Sequence, residues 1–124
     1  MKTPIVLAGK VVHGKELGRT VGMPTANLHI IEGDLPEPGV YATRIRIDGT
    51  WYLSVTNVGT RPSVDSDASL TVETHILDFD RDIYDELVTL EVCKFLRPIQ
   101  KFESLQAVQE QVQRDILRAR KLAD

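Results

Sequence analysis

An all-β fold with a C-terminal helix is the class that this sequence predicts, and three observations carry it. Six short stretches between Ile5 and Leu96 are rich in β-branched and apolar residues, several of them alternating with polar ones as half-buried strands do. Turn formers separate most of them: Gly14, Pro36 and Pro38, Asp48-Gly49, and the Ser/Asp-rich run before Leu70. From Ser104 the apolar period changes to that of a helix. Six strands joined mostly by turns, followed by one helix, imply an antiparallel barrel with the helix packed against it. The barrel is expected over about residues 5–97 and the helix over about 104–122, within a single domain of 124 residues.

The first strand runs from Ile5 to His13 and ends at Gly14; Leu28 to Ile31 forms a short second one. Glu32 to Pro38 is a turn-rich connection, and Gly39 restarts the chain into Val40 to Ile47. There Tyr41, Thr43, Ile45 and Ile47 share one face, and Arg44 and Arg46 the other. Asp48-Gly49 is a tight-hairpin signal, so Trp51 to Val58 returns antiparallel, with Trp51, Leu53 and Val55 expected inward. Gly59 to Ser69 has no period and reads as a loop. Leu70 to Phe79 alternates again: Leu70, Val72 and Ile76 share one face, which sends Glu73, His75 and Leu77 to the other. Asp80 to Glu86 is a charged turn, and Leu87 to Leu96 is the last strand, stopped by Arg97-Pro98 because proline has no N–H for a ladder. In the helix, Ser104 is the natural N-cap, and Leu105, Val108, Val112, Ile116 and Ala119 form the apolar stripe.

Composition narrows the function. A formal charge of −3 and a pI near 5.6 argue against a nucleic-acid-coating surface, so a small-molecule partner is expected. Cys93 is alone, which excludes an internal disulfide or a cysteine metal cluster and fits a reducing compartment. With no run of about 18 apolar residues and no signal-peptide pattern, the chain reads as a cytoplasmic protein without membrane contact. It is expected to be a monomer.

The stretch Gly18 to Asn27, G-R-T-V-G-M-P-T-A-N, has neither helical nor strand period. Gly18 and Gly22 permit positive φ and close approach to a ligand, and Pro24 holds Thr25 in place. Backbone N–H groups in such a loop can form an anion nest, beside the positive charges of Lys15 and Arg19. Thr25 and Asn27 offer hard, uncharged oxygens of the kind Mg²⁺ accepts when nucleotide phosphates supply the counter-charge. The stretch is neither a Walker A loop nor a dinucleotide fingerprint, and the other reading is a surface loop whose glycines only serve turns. His13 and His75 do not make a zinc site, having no suitably spaced partners.

These residues carry a resemblance. The blocks G-R-T-V-G-M-P-T-A-N-L, P-G-V-Y-A, N-V-G-T-R-P, V-E-T-H-I-L-D-F and F-L-R-P-I-Q-K-F, running from about Gly9 to the C-terminus, resemble the riboflavin kinase family in content and order. The resemblance implies a six-stranded Greek-key barrel with a C-terminal helix. It also implies transfer of the γ-phosphate of ATP, with Mg²⁺, to the 5′-hydroxyl of riboflavin, giving FMN and ADP. On that resemblance Glu73 of the E-x-H block is the general base. Thr25 and Asn27 hold Mg²⁺ and the phosphates, with Mg²⁺ arriving on the nucleotide. Gly14, Lys15, Gly18, Arg19 and Pro24 belong to the nucleotide loop, and Asn57 and Arg61 to a second loop on the nucleotide side. Arg97, Phe102 and His75 fall on the flavin side. Two positions depart from the family pattern there, Asp85 where glycine is common and Ile99 where an acidic residue is common. His13-Gly14 lacks the second histidine of an adenylyltransferase H-x-G-H motif, so FMN and not FAD is the expected product. The alternative reading is a barrel that binds flavin or nucleotide without turnover, for which a base such as Glu73 has no use.

Overall fold

The structure, a computed structural model, describes residues 5–12, 25–61, 69–79 and 81–123, with the backbone alone at residues 60, 61, 69 and 123. Six strands, β1 (Ile5–Val12), β2 (Thr25–Glu32), β3 (Gly39–Ile47), β4 (Thr50–Arg61), β5 (Ser69–Ile76) and β6 (Leu87–Arg97), precede one helix, α1 (Leu105–Ala123). They form a closed barrel in the order β1-β2-β5-β4-β3-β6. Every neighbouring pair is antiparallel. The β3–β4–β5 meander is thus inserted between β2 and β6, which brings mid-chain β5 beside early β2.

Local chemistry explains the turns. Asp48 and Gly49 both have positive φ, 50° and 80°, the two-residue hairpin geometry whose twist matches that of the flanking strands. Asp85, one of the family departures, has φ 72°, a backbone conformation that glycine adopts without cost and aspartate tolerates. It holds the turn by donating its N–H to the Val11 carbonyl (2.9 Å) and by a 2.7 Å ion pair with Lys10. Ser104 caps α1 through its Oγ, which accepts the Ala107 N–H at 3.1 Å; a cap of this kind is worth about 1 kcal/mol.

Two apolar clusters hold the fold. The barrel interior is filled from all six strands, with Leu7, Ile45, Ile47, Val58 and Leu90 nearly inaccessible. Full burial of each such side chain contributes about 1.5–3 kcal/mol. A second cluster lies outside the barrel wall, where Val40, Ala42, Val55, Leu77 and Leu96 meet Ile116 and Ala119 of α1.

That outer cluster corrects the expected facing of β4. Trp51, Leu53 and Val55 point outward, and Ser54, Thr56 and Val58 point inward. Trp51 is 40% exposed and lies under the Arg44 guanidinium, 5.0 Å from the ring centroid. Leu53 and Val55 are apolar because the helix covers them. The inward hydroxyls satisfy one another: Thr43 bonds Ser54 (2.7 Å) and Thr56 (2.8 Å), and Thr56 bonds Thr74 (2.9 Å). Buried hydroxyls are tolerated when paired in this way.

The described boundaries also differ from the expected ones. β2 begins at Thr25 instead of Leu28, and β4 extends to Arg61. Strand pairing with β5 supports both extensions. β5 ends at Ile76, and Leu77 leaves the sheet to join the helix cluster. Leu105 of the expected helical stripe is exposed, at the first turn beyond the barrel wall.

Candidate active site

Antiparallel pairing places side chains on one face opposite one another, with Cβ atoms about 4.5–5.5 Å apart. Across β2, β5 and β4 the register sets Asn27 opposite Glu73 and Glu73 opposite Asn57. The adjacent row sets Thr25 opposite His75 and His75 opposite Val55. The intervening residues Ala26, Thr74 and Thr56 are buried inside the barrel. Period 2 therefore sends Thr25, Asn27, Glu73, His75 and Asn57 to the outer face, where all five are half-buried. Residues separated by up to 50 positions in sequence thus form one polar patch beside the helix.

Its donor and acceptor balance is specific. Thr25 Oγ1 and His75 Nδ1 lie 3.2 Å apart. Burial pushes the His75 imidazole below its ordinary pKa, an effect that the nearby Asp115 carboxylate opposes. Among the described residues, Asn57 Oδ1 is a buried oxygen with no hydrogen-bond partner, a costly condition that a donor or cation in the patch would relieve. The oxygens of Thr25, Asn27, Asn57 and Glu73 form an all-oxygen set with a single carboxylate, which suits Mg²⁺ accompanied by phosphates and does not suit zinc. Among the described residues there is no group of three or more His, Cys, Asp or Glu side chains able to hold a metal.

Arg97 and Phe102, expected on the flavin side, stand where the barrel meets the helix. Register shifts in the β3–β6 ladder place Arg97 opposite Val40, whose side chain faces α1. From there its guanidinium forks onto Asp115, with Nε to Oδ1 at 3.0 Å and Nη2 to Oδ2 at 2.9 Å. The same guanidinium lies 5.7 Å from the centroid of the half-buried Phe102 ring. Arg97 is therefore engaged in holding the helix, and the Phe102 ring is held beside it.

Asp115 is the residue that sequence reasoning missed. It is 2% exposed and also accepts a 3.1 Å hydrogen bond from Gln111 Nε2. The signal was present, since position 115 lies three residues after Val112 and four before Ala119, on the buried stripe. A carboxylate at such a position needs a partner. Gly14, Lys15, Gly18, Arg19 and Pro24 lie outside the described residues, as does the side chain of Arg61.

Comparison with known proteins places the chain by family and fold. The family model for flavokinase (riboflavin kinase) matches residues 1–123. A bifunctional riboflavin kinase/FMN adenylyltransferase of Pseudomonas fluorescens is 40% identical over 120 residues, covering 97% of this chain and 39% of that protein. The chain thus spans about two-fifths of the length of such relatives. Among solved structures, one described as a macrolide-efflux protein of Streptococcus pneumoniae superposes with a TM-score of 0.89 at 34% identity, covering 95% of this chain and 39% of that one. The riboflavin kinase of Trypanosoma brucei gives 0.64 at 25% identity, covering 98% and 80%. With the family model matched along nearly its whole length and the barrel shared with a solved kinase, this chain belongs to the riboflavin kinase family.

Proposed function

We propose that the chain transfers the γ-phosphoryl group of ATP to the 5′-hydroxyl of riboflavin, producing FMN and ADP. The observation that carries this reading is the direct opposition of Asn27 and Glu73 across the β2–β5 ladder. It sets the carboxylate of the V-E-T-H block opposite the last residue of the P-T-A-N run, which supports a shared site.

Glu73 is the general base in this reading. As the riboflavin oxygen bonds to the γ-phosphorus, its O–H bond breaks and the proton passes to the Glu73 carboxylate, while the bond between the γ-phosphorus and the β–γ bridging oxygen breaks to release ADP. Such assistance is worth about 10²–10⁴-fold, and it is useful late in the step because the alcohol becomes acidic only as the new bond forms. Positioning and charge neutralisation supply most of the remaining acceleration in phosphoryl transfer.

Thr25 and Asn27 hold Mg²⁺ jointly with the nucleotide. The ion supplies positive charge against the phosphate oxygens when bound. Gly14, Lys15, Gly18, Arg19 and Pro24 form the phosphate loop, and Asn57 and Arg61 contribute from the second nucleotide-side strand end. Phe102 is the aromatic wall for the flat isoalloxazine ring, and Arg97, fixed by Asp115, keeps that wall in place. His75, on the flavin side by the resemblance, also lies within hydrogen-bond distance of Thr25, 3.2 Å from its Oγ1.

The direct experiment mixes the protein with ATP, Mg²⁺ and riboflavin and separates the flavins by chromatography. FMN and ADP in equal amounts support the reading; riboflavin bound but unconverted indicates a binding barrel instead.

A further inference from the structure

We propose that His75 is a positioning residue: its Nδ1 accepts the hydroxyl proton of Thr25 and so turns the oxygen lone pairs of Thr25 toward the cation. The inference rests on the reading of Thr25 as a Mg²⁺ ligand and adds a residue to it.

Thr25 Oγ1 carries one proton and two lone pairs. A hydroxyl that ligates a cation must present a lone pair, and its proton must then find an acceptor elsewhere. His75 Nδ1 is directly across the β2–β5 ladder and 3.2 Å away. A neutral imidazole has one donor nitrogen and one acceptor, so acceptance at Nδ1 puts the ring proton on Nε2.

The surroundings hold the ring in this pose. Val55 lies opposite His75 on the β4 side and packs into the helix cluster, so the ring has an apolar neighbour there and the hydroxyl on the other. Asp115, whose negative charge reaches the ring, is itself immobilised by Arg97 and Gln111. Groups that orient a ligand without touching the metal commonly alter metal affinity by about 10–100-fold when removed.

The test is calorimetric binding of ADP in Mg²⁺ and in EDTA. The ratio of the two dissociation constants is the Mg²⁺-dependent gain, and it requires no turnover. His75→Leu is expected to cut that gain by about 10–100-fold while binding in EDTA is preserved. His75→Asn places its amide oxygen near the former Nδ1 and is expected to restore most of the gain. His75→Gln, whose oxygen falls nearer the former Nε2, is expected not to. The Asn and Gln variants keep a polar side chain and carry the comparison if the Leu variant does not fold. An unaltered gain in His75→Leu, or equal gains in the Asn and Gln variants, overturns the proposal. If the gain survives in His75→Leu but is lost in Thr25→Val, the role of His75 alone fails. If Thr25→Val keeps the gain as well, the assignment of Thr25 to the cation fails with it.

Discussion

Asn27 and Glu73 oppose one another across the β2–β5 ladder, although 46 residues separate them in the chain. The pairing exists because β5 is inserted between β2 and β4 instead of lying beside β6, its successor in the chain. It sets the carboxylate proposed as the base opposite a β2 residue proposed to share a cation with the nucleotide. Asn57 completes the row from β4.

Removing the Asn27 amide while keeping Glu73 should therefore affect the metal more than the flavin. Asn27→Ala is expected to raise the Mg²⁺ concentration giving half-maximal FMN formation at least tenfold, an order of magnitude typical of disturbed metal sites. Riboflavin affinity, followed by quenching of flavin fluorescence, should change by less than about threefold, well under the 1.4 kcal/mol that a tenfold change represents. Mg²⁺ titrations of initial rate check the first expectation.

The pair of Arg97 and Asp115 is mostly buried, with side chains 16% and 3% exposed. Arg97→Met leaves the Asp115 charge without its counter-ion, which costs about 3–5 kcal/mol in buried pairs. The double variant Arg97→Met/Asp115→Leu removes both charges and should recover most of the loss. Urea unfolding of the single and double variants measures this, and a double variant as unstable as the single one would contradict it.

His75 gives the fold a pH dependence of definite sign. Burial lowers its folded-state pKa, so just below the unfolded value of about 6.5 the unfolded chain binds a proton that the folded chain does not. Stability then rises with pH through that interval and falls as pH drops from about 6.5 toward the lowered value. Urea midpoints at pH 7.5 and 5.5 should fall further in the wild type than in His75→Asn, and equal falls would contradict the assignment.

Much of this arrangement is legible in the residues themselves. Asp48-Gly49 announced the β3–β4 hairpin because few residue pairs accept two positive φ values. Val72 and Ile76 fixed the inward face of β5, which sent Glu73 and His75 outward together. β4 was misread because alternation identifies two faces without saying which is the core. Its apolar face meets the helix, and its hydroxyl face is satisfied by Thr43 and Thr74 inside the barrel. Arg44 and Arg46 held the answer, since Trp51 and Leu53 pair with them and share their outer face. The insertion of β5 between β2 and β4 was not legible from periodicity, because strand order is set by long-range closure and not by local pattern. Asp115 was not singled out, because its partner Arg97 lies 18 residues earlier, across the strand–helix turn.

The measurement that bears most directly on the account is the rate of FMN formation by Glu73→Gln with ATP, Mg²⁺ and riboflavin all saturating. A drop of about 10²–10⁴-fold in kcat, with riboflavin binding essentially unchanged, is the expected result. A variant that turns over as fast as the wild type would contradict the assignment of Glu73 as the base opposite Asn27.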